Sequence, residues 1–240
     1  MSTVLLVRHG RTTANSQGTL AGWSPGVHLD DDGRAQVESL ATRIGAVPLA
    51  ALVSSPLDRC LETAAALAGD RDLTVRVDDA LGEVRYGEWT GEPLKVLAKQ
   101  PLWKVVQQHP SAAVFPGPDG EGLAAMQARA VGAVRRWNAE LGEDAVYCVV
   151  SHGDVIKALV ADALGLHLDL FQRIVVDPAS VSVIRYGTTR PFVERLNDTG
   201  GDVSALVPRK RRRKRTVRDD DAVVGGGAGA SSSKRRGRTA

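Results

Sequence analysis

Apolar residues along this chain alternate between short continuous runs and helical stripes. Residues 3–7 form a β-branched apolar run ending at Arg8, which predicts a buried strand. Val37, Leu40, Ala41 and Ile44 then recur at helical spacing behind Asp30, Asp31 and Asp32, whose carboxylates suit the positive end of a helix dipole. Residues 51–54 predict a second strand, and Pro56 opens a helix that runs through about Ala68. A third short strand falls at 75–77. Met126, Ala130, Val134 and Trp137 mark a helix over 121–141. Residues 145–150 form a strong strand, followed by Ser151-His152-Gly153 and a helix over 154–164. Strands at 181–186 and 192–196 close the pattern.

Between these elements, residues 11–28 are rich in Gly, Ser, Thr and Asn and predict a long loop. Residues 81–122 are irregular, with two short helices expected. A segment that long and irregular inside one domain points to function. Strands alternating with helices predict an α/β domain over 1–208, a three-layer α/β/α sandwich on a mostly parallel mixed sheet.

Charge changes this picture at one place. The whole chain carries +3 and a pI near 9.0, which by itself suggests an anionic partner. However, 12 Lys/Arg and only 3 Asp/Glu follow Pro208, leaving 19 basic and 25 acidic residues before it. The domain is therefore acidic and the tail, 209–240, strongly basic. Its seven consecutive cations at 209–215 and its Gly/Ala/Ser run at 225–233 cannot bury apolar surface, so disorder is expected. Such a tail is compatible with weak, salt-dependent contact with a polyanion. Deleting it is expected to leave turnover of a small substrate nearly unchanged.

Other classes are excluded. Aromatic residues, at 4%, are too scarce for a stacking surface on single-stranded nucleic acid. Two cysteines, Cys60 and Cys148, make no disulfide framework, and no metal-ligand spacing is present. The N-terminus lacks a basic region and a long apolar run, so neither a signal peptide nor a membrane span is expected, and the chain reads as cytoplasmic.

Candidate chemistry sits at strand ends. Two strands end in a His-Gly pair, at Arg8-His9-Gly10 and Ser151-His152-Gly153. Ligands of open α/β sheets bind beyond the carboxyl ends of strands, where both histidines would lie. Arg59 falls in the first turn of a helix, an end that cations avoid unless an anion faces them. His28, His109 and His167 have no such setting and are assigned structural or surface roles.

These residues resemble the histidine phosphatase superfamily, with its phosphoglycerate-mutase-like fold. Arg8-His9-Gly10 is similar to its N-terminal signature, and residues 54–64, Ser-Ser-Pro-Leu-Asp-Arg-Cys-Leu-Glu-Thr-Ala, to its second block. Leu81-Gly82-Glu83 with Gly87-Glu88-Trp89-Thr90-Gly91 resembles its acid block, and Ser151-His152-Gly153 its second histidine block. The resemblance covers residues 3 to about 200, excludes the tail, and also extends to an actinobacterial branch described as phosphomutases or phosphatases.

The resemblance implies a metal-independent phosphoric monoester hydrolase with no cofactor. His9 would attack phosphorus to form a phosphohistidine, with its other ring nitrogen donating to a backbone carbonyl. Arg8, Arg59 and His152 would surround the phosphoryl oxygens. Thr12, Asn15 and Gly153 would add donors or a close backbone approach. Glu83 would protonate the leaving oxygen and then activate water. Trp89 is assigned to packing or to the pocket wall.

The implied reaction is hydrolysis of a small phosphorylated metabolite. Phosphoglycerate mutases of this superfamily have Glu-Arg-x-Tyr-Gly at the acid block, whereas this chain has Glu83-Val84-Arg85-Tyr86-Gly87. Val84 replaces the arginine that would hold a substrate carboxylate, and Gly122 stands where the family commonly has Ser. A phosphomutase using the same phosphohistidine is the alternative, and a non-catalytic phosphate-ligand binder ranks below both, since His9, Glu83 and His152 are all present. Folds of this family often dimerise, so a homodimer is compatible with a sequence in which no interface is legible.

Overall fold

Alternate residues of the central strands feed two separate cores, and this divides the molecule into layers. The computed structural model describes residues 1–201 and 224–227. Strand β1 (Ser2–Arg8) sends Val4 and Leu6 to one side and Leu5 and Val7 to the other. Strand β4 (Val146–Ser151) does the same with Tyr147 and Val149 against Cys148 and Val150. Helices α2 (Asp31–Ile44) and α3 (Asp58–Ala68) cover the second side. Helices α6 (Leu123–Leu141) and α7 (Gly153–Ala163) cover the first. Burial on both faces accounts for the continuous apolar runs of β1 and β4.

The sheet has the order β3-β2-β4-β1-β5-β6, with β2 at Ala51–Ser54, β3 at Val75–Val77, β5 at Val181–Tyr186 and β6 at Pro191–Asp198. The pairs β3-β2, β2-β4 and β4-β1 are parallel, while β1-β5 and β5-β6 are antiparallel. The fold is the three-layer α/β sandwich on a mixed sheet that the patterning predicts.

Several boundaries shift by a residue or two from those the sequence predicts, and three departures have a visible cause. The loop expected over 11–28 contains a helical turn, α1 (Thr13–Gln17). Thr12 Oγ1 accepts from Asn15 N, Asn15 Oδ1 accepts from Thr12 N, and Gly18 ends the turn in the left-handed region at φ 69°. Helix α3 begins at Asp58 rather than Pro56 because Leu57 is extended. The long helix begins at Leu123 behind an extended Gly122. The irregular segment does contain two short helices, α4 (Leu94–Leu97) and α5 (Pro101–Gln108).

Cys60 and Cys148 are buried free thiols. Among the described residues no helix is long and apolar enough to cross a membrane. The expected disorder of the tail falls on residues that, except for 224–227, lie outside those described.

Candidate active site

β1 and β4 run parallel side by side, with Arg8 opposite Ser151. Each therefore delivers its histidine past the same carboxyl end of the sheet. The rings of His9 and His152 lie 5.3 Å apart at 61°. Close backbone approach holds the first in place: a Cβ on Gly10 would come within 2.7 Å of Gly33 O, at the start of α2.

His9 Nδ1 lies 2.7 Å from Gly10 O, so it carries the proton and donates. Nε2 is left with its lone pair, toward which Arg59 Nε donates at 3.3 Å. Burial, then Arg59 and Arg8, hold the His9 pKa well below its ordinary value. The ring is neutral and nucleophilic at Nε2. Burial and Arg59 depress His152 in the same way. Its Nδ1 faces Arg59 Nη2 at 3.2 Å, and an arginine cannot accept. The proton of His152 therefore sits on Nε2, which donates to Ser55 Oγ at 2.7 Å.

Arg59 projects from the first turn of α3 and is buried. Its Nη2 also donates to Gly22 O at 2.9 Å, and its buried Nη1 meets no acceptor among the described residues. Arg8 is fully buried, its Nε likewise unmatched and its Nη1 donating to Val176 O at 2.8 Å. Burial lowers Arg8 to about 10, which still leaves it cationic at neutral pH. Buried N–H donors are rarely left unmatched. Two on guanidinium groups close enough to feel each other's charge suit an anion with several oxygens.

Glu83 is buried beside them, its Oε2 3.9 Å from His152 Nδ1 and its Oε1 accepting from Val84 N at 3.0 Å. Burial, then the nearby Asp154 carboxylate, raise its pKa to about 7, against the opposing pull of Arg59. A carboxyl group poised there can donate a proton and later take one back. Its backbone is clamped: Trp23 Nε1 donates to Glu83 O at 2.6 Å, and Arg129 Nη2 to the same oxygen at 2.9 Å. Arg129 also donates to Ala80 O and Gly82 O, and grips Glu121 through two nitrogens.

The other sequence candidates are placed as follows. Thr12 and Asn15 line the cavity while capping α1, and Asn15 Oδ1 accepts from Thr12 Oγ1 at 2.9 Å. Asn15 thus keeps its amide nitrogen as a donor. Gly153 opens α7 and faces Gly225. Val84 is buried, and Arg85 stacks its guanidinium on Trp23 at 4.0 Å. Trp89 packs against Trp103 and Phe115 in the core. Among the histidines set aside, His28 pairs with Glu62.

Sequence reasoning assigns no role to Ser55, Trp23, Arg129 or Asp154. Asp154 accepts from Tyr86 Oη at 3.0 Å and from Lys157 Nζ at 3.2 Å, which satisfies a fully buried carboxylate. Its place directly after Ser151-His152-Gly153 is a usable signal. Arg129 gives none, since it sits in a helix more than 40 residues from the carbonyls it holds. Residues 225–227, low-complexity tail by their sequence, help to line the cavity.

The cavity holds about 200 Å³. His9, Arg59 and Glu83 stand on its wall with Leu20, Ala21 and Leu94, and Arg59 is the one Lys or Arg among the described residues lining it.

The sequence profile of the histidine phosphatase superfamily (branch 1) matches residues 4–199. Phosphoserine phosphatase 1 of Hydrogenobacter thermophilus is 31% identical over 206 residues, covering 83% of this chain and 93% of the relative. The adenosylcobalamin/alpha-ribazole phosphatase of Escherichia coli is 30% identical over 187 residues, covering 75% and 87%. Among solved structures, YhfR of Bacillus stearothermophilus superposes with a TM-score of 0.75 at 29% identity, covering 82% of this chain and 98% of the other.

Proposed function

We propose, for a chain that belongs to the histidine phosphatase superfamily (branch 1) and is a phosphatase, that it hydrolyses a small phosphomonoester through a phosphohistidine on His9. The observation that carries this reading is the meeting, at one strand end, of a neutral His9 with two cationic arginines and a protonatable Glu83. His9 Nε2 attacks phosphorus as the P–O bond to the leaving group breaks. Arg8 and Arg59 stabilise the equatorial oxygens, with their unmatched N–H groups as ready donors. His152, whose only proton is spent on Ser55, holds Arg59 from its Nδ1 and gives the phosphoryl group a donor only when that nitrogen is protonated. Glu83 gives its proton to the leaving oxygen. In the second half it takes a proton from water, which attacks the phosphohistidine and releases inorganic phosphate.

The wall beyond the phosphate end is neutral at Leu20, Ala21 and Leu94. Val84 is buried and Arg85 lies on Trp23, so neither offers a cation to a substrate carboxylate. This supports hydrolysis over the mutase alternative. It also favours a leaving alcohol with no strongly anionic group next to the phosphate. The relatives carry different substrate names, phosphoserine and alpha-ribazole among them, and so do not narrow the choice.

Hydrolysis of a chromogenic phosphomonoester by wild type and His9→Ala tests the mechanism. The variant should lose at least about a thousandfold in kcat. Equal rates would sink the phosphohistidine. A phosphometabolite screen read by phosphate release would then identify the substrate, and transfer between positions without phosphate release would favour the mutase.

A further inference from the structure

Part of the cavity wall is a piece of this chain's own tail. Residues 224–227, Val-Gly-Gly-Gly, reach the site from the tail and line it together with His9, Arg59 and Glu83. Val224 is 1% exposed and packs into the same core cluster as Leu20 and Tyr86. Gly225 N donates to Asp154 Oδ2 at 2.9 Å. Arg8 Nη1 donates to Gly227 O at 2.7 Å, and Nη2 points at Gly225 O at 3.4 Å.

The fit depends on glycine. Gly225 and Gly226 have φ of 74° and 79°, the left-handed region that side chains disfavour. A Cβ on Gly226 would stand 2.8 Å from the Arg8 guanidinium, and one on Gly225 3.0 Å from Leu20. On the facing side, a Cβ on Gly153 would come within 3.1 Å of Gly225 O. An apolar anchor, two left-handed glycines and two carbonyls aimed at a buried arginine form a matched set.

We infer that the phosphate pocket is also a binding site for a glycine-rich peptide strand, and that its occupant is this chain's own 224–227 segment, held in competition with substrate. The inference rests on the reading of Arg8 as a phosphate ligand. With the segment in place Arg8 can offer a phosphoryl group only its unmatched Nε, and a bidentate grip that adds a terminal nitrogen must displace the carbonyl of Gly227 or Gly225. Twenty-two residues, 202–223, tether the segment to the domain. A linkage of that length sets an effective concentration of roughly millimolar order, so even a weak peptide site would be well occupied.

The test uses the full chain and two variants. Val224→Asp places a charge where the buried anchor sits, and Gly226→Val adds a branched side chain against Arg8 in a left-handed position. Each change lies in the tail segment, outside the sheet and its helices. Expelling the segment should lower KM for p-nitrophenyl phosphate at least about fivefold without lowering kcat, the signature of a removed intramolecular competitor. Calorimetric binding of inorganic phosphate should tighten by the same factor. A synthetic Ala-Val-Val-Gly-Gly-Gly-Ala peptide added to Val224→Asp should restore a higher apparent KM. Unchanged or weakened KM and phosphate affinity in both variants would overturn the inference. If none of the proteins hydrolyses phosphomonoesters yet phosphate binding tightens in the variants, the proposed reaction fails and the peptide site stands.

Discussion

At the scale of single residues, His9 and Glu83 are held in the protonation states that the proposed phosphoryl transfer to His9 needs. Burial and two arginines keep His9 and His152 neutral, while burial and Asp154 keep the Glu83 proton on up to about pH 7. The proposed phosphorylation of His9 draws on that proton, so kcat/KM should fall as pH rises through about 7. Glu83→Gln should abolish this limb and lower kcat by about 10²–10⁴-fold. A limb unchanged in the variant would move the acid elsewhere. The same shift has a stability sign. A carboxyl raised on folding favours the fold while protonated, and that contribution is lost as pH rises through about 7. Thermal melts at pH 6 and pH 8.5 should therefore show Glu83→Gln gaining on wild type at the higher pH.

At the scale of elements, the acid block holds its shape through a helix distant in sequence. Arg129 of α6 reaches the carbonyls of Ala80, Gly82 and Glu83 while paired with Glu121. Arg129→Met should cost about 2 kcal/mol, because partly buried carbonyls and Glu121 lose a charged donor. It should also lower kcat more than it raises KM, since Glu83 moves and the arginines do not. A melt unchanged from wild type would show that the clamp carries no stability. The start of α2 is the second critical contact. A Cβ on Gly33 would sit 2.0 Å from Arg11 O, which is backbone and cannot yield locally. Alanine gains about 1 kcal/mol of helix propensity over glycine, but overpacking costs about 1–3 kcal/mol and acts directly behind His9. Gly33→Ala should thus destabilise the chain and impair turnover, as denaturation and kinetics can measure.

At the scale of the whole molecule, an acidic domain carries a basic tail, and the tail is more than a charge. Composition alone predicts that its removal is kinetically silent. The contacts of 224–227 with Arg8 and Asp154 are the reason to expect otherwise. The cations at 209–215 keep a separate role to test. Replacing Arg211, Arg212, Arg213 and Lys214 with Gln should weaken retention on an immobilised polyanion and flatten its salt dependence by about 0.9 for each phosphate no longer neutralised. Retention unaffected by the change would place the polyanion on the domain.

Much of the candidate site is legible from local pattern. Apolar runs flanked by helical stripes fix which strands are buried on both faces, and such strands end where ligands bind. Arg8, His9, Arg59, Glu83 and His152 can therefore be picked out as candidates from their places at the ends of strands, in a first helical turn and in a motif block, and the structure brings them to one end of the sheet. What only the tertiary structure decided depends on partners distant in sequence. The proton of His152 is placed by Arg59 and Ser55, and the Glu83 pKa by burial and then by Asp154, about 70 residues away. The Arg129 clamp is of the same kind. Residues 224–227 are the extreme case: a Gly-Gly-Gly run has no periodicity and no side chains to read. Its role comes from backbone carbonyls and left-handed dihedrals that acquire meaning only against the surface they meet.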